Sequence, residues 1–389
     1  MKKGWQTKKL GEACEVIAGQ SPEGKFYNAE GNGMPFYQGK KDFGDKFIEA
    51  PTTWTTQTTK IAKEGDILMS VRAPVGPVNF ATDEVCIGRG LAAIRSSAAL
   101  NRDFLFYQLW HLQPEIAGRE GAVFASINKA EIEALPLAVA PLAEQQRIVG
   151  LLDKAFEGLA TAKANAEKNL QNARALFESH LQSVFTQRGP GWVEKPLGDF
   201  CSFENGDRGT NYPSKSARTA TGIPFINAGH LTDDGIDLET MDYIPRERFD
   251  LLSNGKIRKG DILFCLRGSL GKFAKVGGLP EGAIASSLVI VRPDKTVLND
   301  FLVAYFRSPL CTAMIHRFKN GAAQPNLSAQ SLRNFSAPIP PLEKQESVVE
   351  QLTDLREHTR RLAAIYARKL TALEAVKKSL LHQAFTGAL

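Results

Sequence analysis

The sequence contains few side chains whose types and spacing could perform chemistry. Glu23 and Lys25 form a Glu-x-Lys triplet of the kind some nucleases use, but no matched acidic residue precedes it on a predicted strand. The six histidines show neither HxxxH nor HExxH spacing, and the five cysteines include no CxxC pair. Free buried thiols in a reducing compartment therefore explain the cysteines better than disulfides or a metal site.

Cofactor-binding motifs are also weak or missing. CIGRGLAA (86–93) superficially fits a G-x-G-x-x-A loop after a strand, but its counterpart in the second half of the chain, AIASSLVI, has no glycine. The sequence has neither a G-x-x-x-x-G-K-[ST] phosphate loop nor the [ND]PP[YF] motif with which adenine methyltransferases hold an extruded adenine. We therefore predict no catalytic residue, no cofactor and no metal in this chain.

The bulk composition is that of an ordinary globular protein. Of the 389 residues, 43% are hydrophobic and 23% are charged, which suggests two or three domains. No apolar run approaches the ~18 residues of a membrane span, and no apolar stretch follows the basic start, so we expect a cytoplasmic protein. The net charge of +6 permits a polyanionic partner without demanding one.

The chain repeats itself after roughly 190–200 residues. WQTKKLGEACEVIAG (5–19) matches WVEKPLGDFCSFENG (192–206), EGDILMSVRAPVG (64–76) matches KGDILFCLRGSLG (259–271), and PLAEQQRIVGLLD (141–153) matches PLEKQESVVEQLTD (341–354). The matches keep their order while the offset grows from 187 to 200. These features indicate one duplicated unit with small loop insertions in the second copy.

Each copy consists of a globular head followed by a long helix. Residues 1–140 and 189–340 show short strand-like runs between turns, with helical patterns beside them, and predict mixed α+β heads. Residues 141–188 and 341–389 each predict a long helix, and a helix of about 45 residues spans about 67 Å at 1.5 Å per residue. Apolar or small residues follow coiled-coil spacing at positions 148, 152, 155, 159, 162, 166, 173, 176 and 184, and at 348, 352, 355, 359, 362, 366, 370, 373, 376 and 380.

Connectivity fixes the direction of the two helices. The first helix leaves head one at Pro141 and enters head two by Trp192, so the heads should sit at opposite ends of it. The second helix must run back, which predicts an antiparallel coiled coil with approximate two-fold symmetry. Such a molecule suits a DNA duplex with two separated sites, and the helices would cap their separation at roughly 20 base pairs.

The whole chain resembles the specificity subunits of type I restriction–modification enzymes. The most specific stretch is GAAQPNLSAQSLRNFSAPIPPLEKQESVVEQLTD, echoed by GAVFASINKAEIEALPLAVAPLAEQQRIVGLLD. The GDIL segments (65–68 and 260–263) and the tryptophan that precedes LGE or LGD also match. Copy one lacks the glutamine-containing loop of copy two, because Val123–Ser126 stand where copy two has Ala323–Asn326.

The resemblance implies fold, function and partners. Each head would be a target recognition domain that binds half of a bipartite, asymmetric DNA target. The helices would be spacers that set the gap and bind two methyltransferase (modification) subunits, with restriction (translocase/nuclease) subunits joining in the full complex. Those partners would use S-adenosylmethionine, and ATP with magnesium, whereas this chain would be non-catalytic.

Basic and polar residues after the recurrent strands are the candidate DNA contacts. Arg72 and Arg267 occupy equivalent positions, and a structural ion pair with Asp66 or Asp261 is their alternative role. Gln324 and Asn326 lie in the glutamine-containing loop that copy one lacks. The complete set of candidates is Lys40, Lys41, Arg72, Arg89, His230, Arg267, Ser286, Ser287, Gln324 and Asn326.

Part of the helix surface is expected to bind partner subunits. Two paired helices leave apolar flank uncovered, although the stripe could also be no more than their mutual seam. The candidate contacts are Gln145, Leu151, Phe156, Phe177, Gln345, Ile365 and Leu370. Two other functions stay open on the sequence alone: a self-contained DNA nuclease that uses Glu23 and Lys25, and a structural tether that binds no DNA.

Overall fold

The computed structural model describes residues 4–117, 126–321 and 325–389. The chain divides into two compact units, of which unit 1 comprises Met1–Glu167 with Ala367–Leu389 and unit 2 comprises Lys168–Tyr366. Each unit thus contains one head, part of the first long helix and part of the second. The division cuts across both long helices instead of separating them from the heads.

Unit 1 has short strands and few helices, as the repeat pattern predicted. Its helices are α1 (Leu10–Ala13), α2 (Arg102–Ala117), α3 (Lys129–Glu133) and the first part of α4 (Leu142–Thr186). Its strands are β1 (Gln6–Lys9), β2 (Cys14–Ala18), β3 (Tyr27–Asn28), β4 (Met34–Tyr37), β5 (Trp54–Thr55), β6 (Ile61–Ala62), β7 (Ile67–Ser70), β8 (Val78–Phe80), β9 (Val85–Ile87), β10 (Leu91–Ser96) and β11 (Pro136–Val139).

Two sheets and a strand pair build head one. An antiparallel sheet has the order β2-β10-β7-β8, and a second sheet has the order β3-β5-β4-β9-β6 with β4 and β9 parallel. Strands β1 and β11 pair at the base of the head, where the chain enters and leaves it. Strand β7 is buried along its whole length, which explains the apolar run ILM that precedes its last residue, Ser70.

Unit 2 contains the second copy of these elements. Its helices are the last part of α4, then α5 (Arg246–Asp250), α6 (Asn299–Arg307), α7 (Pro309–Phe318), α8 (Ala329–Arg333) and the first part of α9 (Leu342–Thr386), whose last part belongs to unit 1. Its strands are β12 (Val193–Pro196), β13 (Cys201–Asn205), β14 (Ile223–Ile226), β15 (Leu231–Thr232), β16 (Gly235–Ile236), β17 (Asp242–Ile244), β18 (Ile262–Cys265), β19 (Phe273–Lys275), β20 (Ala283–Ile284), β21 (Leu288–Pro293) and β22 (Ser336–Ile339).

The sheets of unit 2 follow the same plan. An antiparallel sheet has the order β13-β21-β18-β19, and β12 pairs with β22 at the base. Strand β14 lies between antiparallel β17 and parallel β20, as β4 lies beside parallel β9 in unit 1. The α+β fold of both heads and their duplication are therefore confirmed.

A repeated ion pair closes the antiparallel sheet of each unit. The Arg95 guanidinium donates to both oxygens of Asp66, at 2.9 and 2.7 Å, and reaches Glu15 at 3.0 Å. Arg292 does the same with Asp261 in unit 2, at 2.7 and 2.9 Å. Because Asp66 is taken by Arg95, and Asp261 by Arg292, the proposed pairing of these carboxylates with Arg72 and Arg267 is wrong.

The two long helices lie antiparallel within each unit, as predicted. In unit 1 the start of α4 packs beside the end of α9, so Lys163 pairs with Glu374 at 3.3 Å. Ile148 and Leu152 of α4 share the core of head one with Leu381 and Ala384 of α9. In unit 2 the roles are exchanged, and the shared residues are Leu181, Phe185, Val348 and Leu352.

The heptad assignment was wrong at three positions. Leu176, Leu362 and Val376 are 52%, 41% and 47% exposed, although the spacing placed them in the seam. The buried positions in the middle of the helices are the small residues Ala166, Ala173 and Thr359. A straight helix drifts by ~20° per heptad from a 3.5-residue repeat, so bulky residues chosen by that repeat move to the flank.

In the described part of the chain, no helix is both long and apolar enough to cross a membrane. The five cysteines are free thiols, as predicted, and four of them are buried. Burial raises the pKa of the half-buried Cys14 thiol to about 12, which keeps the thiol protonated near neutral pH.

Candidate nucleic-acid interface

Two parallel strands place basic residues at one edge of head one. Residues Phe36 and Tyr37 of β4 pair with Cys86 and Ile87 of β9, so the carboxyl ends of both strands meet at the same edge. Lys40 and Lys41 follow the first strand, and Arg89 follows the second. The two loops touch, because a Cβ on Gly90 would lie 2.1 Å from the Gln38 carbonyl oxygen. Only glycine fits at that position.

Backbone hydrogen bonds bring Arg72 to the same edge. The Val71 N–H donates to the Gly90 carbonyl at 2.9 Å, and the Ile127 N–H donates to the Val71 carbonyl at 3.1 Å. Arg72 itself forms a β-bridge with Ser126. We call the segments 38–41, 71–72 and 88–90, together with residue 126, the loop edge of unit 1.

Unit 2 builds an equivalent surface with the same bonds. The Leu266 N–H donates to the Ser287 carbonyl at 2.8 Å, and the Leu327 N–H donates to the Leu266 carbonyl at 2.9 Å. Arg267 forms a β-bridge with Asn326, the counterpart of the bridge between Arg72 and Ser126. The segments 227–230, 266–267 and 285–287, together with residue 326, form the loop edge of unit 2.

The structure thus gathers most of the predicted DNA contacts into one surface per unit. Ser286 and Ser287 are half-buried in the turn before β21, and Asn326 is exposed beside Arg267. Gln324 lies outside the described residues.

His230 does not fit its predicted role. The side chain is only 4% exposed, and both ring nitrogens have hydrogen-bond partners. Nδ1 accepts from the Asn227 N–H at 3.2 Å, and Nε2 lies 3.1 Å from the Thr240 carbonyl oxygen. The imidazole therefore connects the loop after β14 to the segment before β17. This burial does not fit the predicted DNA contact at His230.

The arginines of the loop edges differ from those elsewhere in the heads. Arg72, Arg89 and Arg267 are exposed, and none of them has a carboxylate within ion-pair distance among the described residues. By contrast, Arg218 pairs with Asp242 at 2.6 Å, and Arg246 pairs with Glu281. An arginine whose charge no carboxylate neutralises can offer its full fork of donors to a phosphate or a base edge.

The lysines of the unit 1 loop edge are less free. Both lysines are exposed, but the Lys41 ammonium lies 3.7 Å from an Asp42 carboxylate oxygen and 3.4 Å from the Thr52 hydroxyl. Burial raises the pKa of the Asp42 carboxyl, and the charge of Lys41 opposes that shift. Lys41 therefore has a local carboxylate partner that Lys40 does not share.

Arg208 was not among the predicted DNA contacts, but it lies beside the loop edge of unit 2. It is exposed, and its Nη2 donates to the Ser286 carbonyl at 3.3 Å. The neighbouring Asp207 carboxylate accepts the N–H groups of Gly209 and Ser253 at 2.7 and 2.9 Å, which anchors the loop. The sequence does indicate the position of Arg208, because the repeat offset of 187 aligns Arg208 with Ser21, the residue whose hydroxyl contacts the Arg89 loop.

The predicted apolar partner contacts on the helices divide into two groups. Leu151 and Ile365 are 44% and 49% exposed, as a docking face requires. Leu370 and Phe177 are half-buried, and Phe156 packs edge-on against Tyr107. The exposed apolar residues of the long helices that were not predicted as partner contacts are Leu142, Leu176, Leu342, Leu362 and Val376.

Gln145 and Gln345 were placed wrongly among the partner contacts. Both are fully buried. The Gln145 amide accepts from the Asn101 N–H at 2.7 Å and donates to the carbonyls of Ala99 and Ala140 at 3.1 and 2.8 Å. Gln345 makes the equivalent three bonds in unit 2. These side chains join each head to its helix and are inaccessible to another protein.

The motifs considered for catalysis find no support in the geometry. Glu23 and Lys25 are exposed and pair with each other at 2.6 Å. CIGRGLAA joins β9 to another strand, β10, whereas a phosphate-binding loop of this type opens a helix. Among the described residues, no group of three or more His, Cys, Asp or Glu side chains could hold a metal ion.

Comparison with known proteins places the chain among DNA specificity proteins. A sequence model of the type I restriction modification DNA specificity domain matches residues 2–170 and 190–367. A Methanocaldococcus jannaschii protein assigned as the type I restriction enzyme MjaX specificity subunit is 40% identical over 174 residues, which span 44% of this chain and 40% of that protein.

Two further matches extend over nearly the whole length. The MjaIX specificity subunit of the same organism is 24% identical over 90% of this chain and 87% of its own length. A chain solved in work on complex assembly and conformational transition of the type I R-M system superposes with a TM-score of 0.83 at 19% identity, covering 100% of this chain and 99% of that one. At that identity the superposition shows a shared fold.

Proposed function

The chain belongs to the family of type I restriction modification DNA specificity domains, and on that premise we propose that it is the DNA-recognition subunit of a type I restriction–modification enzyme. In this role the chain is non-catalytic and selects the DNA sequence on which its partners act. Each loop edge binds one half of a bipartite target.

The observation that carries the proposal is the duplicated loop edge. Both units present an arginine at the same place, Arg72 in one and Arg267 in the other, held by equivalent backbone hydrogen bonds. The surrounding side chains differ, since unit 1 has Lys40 and Lys41 after β4 where unit 2 has Gly229 and the buried His230 after β14. A shared scaffold with different donors suits two different half-sites, and hence an asymmetric target.

The long helices are proposed to set the spacing and to bind two methyltransferase subunits. Each is 45 residues long, or about 67 Å. Their exposed leucine, isoleucine and valine side chains would be covered by apolar helices of the partner subunits, completing a bundle. The methyltransferase subunits would use S-adenosylmethionine, and restriction subunits of the full complex would use ATP with magnesium.

The test is to purify the chain with its methyltransferase subunits and measure binding and methylation. We expect the complex to bind one bipartite DNA sequence and to methylate adenines in it, with mapped sites revealing both half-sites and their spacing. We expect the chain alone to neither methylate nor cleave DNA. Methyl transfer or cleavage by the chain alone would contradict the proposal, and binding to no duplex even with partners would favour a structural tether.

A further inference from the structure

An arginine and a serine are exchanged between the two units, at the loop edges and at the loops beside them that contain residues 21 and 208. Aligning Gly19 with Gly206 places Ser21 opposite Arg208, and aligning Leu91 with Leu288 places Arg89 opposite Ser286. Each unit therefore holds one arginine and one serine in this pair of loops. In unit 1 the arginine lies on the loop between β9 and β10, as Arg89. In unit 2 it lies on the loop after β13, as Arg208.

The two loops touch in both units, so the exchange leaves the arginine in the same neighbourhood. In unit 1 the Arg89 N–H donates to the Ser21 hydroxyl at 3.2 Å. In unit 2 the Arg208 guanidinium donates to the Ser286 carbonyl at 3.3 Å. Equivalent backbone bonds, from Gly19 to Leu91 and from Gly206 to Leu288, hold the loops at the same sheet positions.

A second arginine stands beside the exchanged one. Arg72 is tied to the Arg89 loop through the bond from Val71 to Gly90, and Arg267 is tied to the Ser286 loop through the bond from Leu266 to Ser287. All four arginines are exposed. In the described ranges, none of the four forms an ion pair with a carboxylate.

The chemistry favours phosphate over base edges as the ligand of these arginines. A side chain that reads a base must differ between heads that bind different half-sites. Here the positive charge is present in both heads, although the backbone position that carries it has changed. A ligand common to every DNA sequence, the phosphate backbone, explains a charge that is independent of the half-site.

We propose that Arg72 with Arg89 in unit 1, and Arg267 with Arg208 in unit 2, bind backbone phosphates of the DNA and position each head without reading its sequence. The proposal rests on the proposed function, since it concerns the same surface. Sequence reading is thereby left to other side chains of each loop edge.

The salt dependence of binding tests the proposal in the complex of the full chain with its methyltransferase subunits. We expect Arg89→Ala and Arg208→Ala each to weaken binding by roughly eightfold at 0.1 M salt, and to lower the slope of log K against log [salt] by about 0.9. The loss should be the same for the target and for single-base variants of it. Lys8→Ala and Lys295→Ala, exposed lysines outside the loop edges, serve as charge controls and should bind as the wild type does.

The exchange itself supplies a rescue experiment. Arg89→Ser should weaken binding as the alanine variant does. Adding Ser21→Arg, which copies the arrangement of unit 2 onto unit 1, should restore affinity to within about twofold and the salt slope to its original value. A fold defect is excluded by matching thermal unfolding curves, and rescue by a second substitution would not follow from a fold defect.

Three results would overturn the inference. One is an unchanged affinity and salt slope in Arg89→Ala and Arg208→Ala. Another is a changed preference at a single base pair with an unchanged slope, which would make these arginines base-reading residues. The third is failure of the double variant to recover. A wild-type complex that binds no duplex would instead refute the proposed function before any variant is compared.

Discussion

Replacing Gln145 by leucine should weaken the junction between head one and α4. Leucine has nearly the volume of glutamine but cannot form the three hydrogen bonds that the buried amide makes with Ala99, Asn101 and Ala140. The change leaves the buried Ala140 carbonyl without a partner, and it also removes the partner of the part-buried Asn101 N–H and Ala99 carbonyl. At ~1–3 kcal/mol for each unsatisfied group, partly relieved by local relaxation, we expect a loss of about 3 kcal/mol in local stability.

Hydrogen–deuterium exchange is the suitable assay because the junction can open without unfolding either unit. A loss of 3 kcal/mol corresponds to roughly 150-fold faster exchange of the amide of Asn101 and of the first bonded amides of α4. The matched control is Gln146→Leu, because Gln146 is the next residue and is exposed. It should alter exchange less than threefold, and Gln345→Leu should reproduce the effect in unit 2.

Equal exchange in Gln145→Leu and Gln146→Leu would refute the reasoning. So would a Gln145→Leu variant that keeps its protection but fails to assemble with methyltransferase subunits, since that would place the amide at an interface. The buried geometry predicts the opposite order: the junction loosens first, and assembly suffers only as a consequence.

Three further changes probe the fold and the helix surface. Asp261→Asn removes the carboxylate to which Arg292 donates two hydrogen bonds in the sheet of unit 2. The substitution should lower the free energy of unfolding by about 2 kcal/mol, as measured by urea titration. Backbone N–H groups hold the pKa of Asp207 below its usual value, so the stability that this carboxylate contributes is present above the unfolded pKa and is lost as the pH falls through the folded pKa. Asp207→Asn should therefore lower the free energy of unfolding at neutral pH but not in strong acid. Unfolding measured as a function of pH checks this. Ile365→Asp should weaken assembly with methyltransferase subunits at least tenfold in size-exclusion or calorimetric titration, whereas Lys369→Asp on the same helix should act only through its charge.

The duplication made much of the architecture predictable. Matched segments such as GDIL and the tryptophan before LGE fixed the order of elements twice, and proline with apolar spacing located the long helices. Arg72 and Arg267 were found because a repeated position after a repeated strand must occupy the same place in both folds. These inferences depend only on chain order, which the sequence contains directly.

Side-chain direction was harder to predict. His230 follows a strand as Lys40 does, but its ring turns inward to bond its own loop, and no spacing rule distinguishes the two outcomes. Arg208 escaped notice because position-by-position matching shows a serine opposite it. Its equivalence to Arg89 emerges only when two loops are seen to touch. The exposed Leu176 and Val376 reflect helix drift, which a fixed heptad cannot represent.

The composition of unit 1 has a consequence for biosynthesis. Leu381 and Ala384 belong to the buried cluster of head one, and Phe385 packs against Phe104 of that head. The ribosome supplies these residues only after all of unit 2 has been translated, so the head made first must wait, with its apolar surface open, until the head made second is complete. The buried clusters of unit 2, by contrast, contain no described residue beyond Leu352. Nascent head one is therefore the stage at which this protein most needs a chaperone, and contacts spanning more than 200 residues should make its closure the slow step of folding.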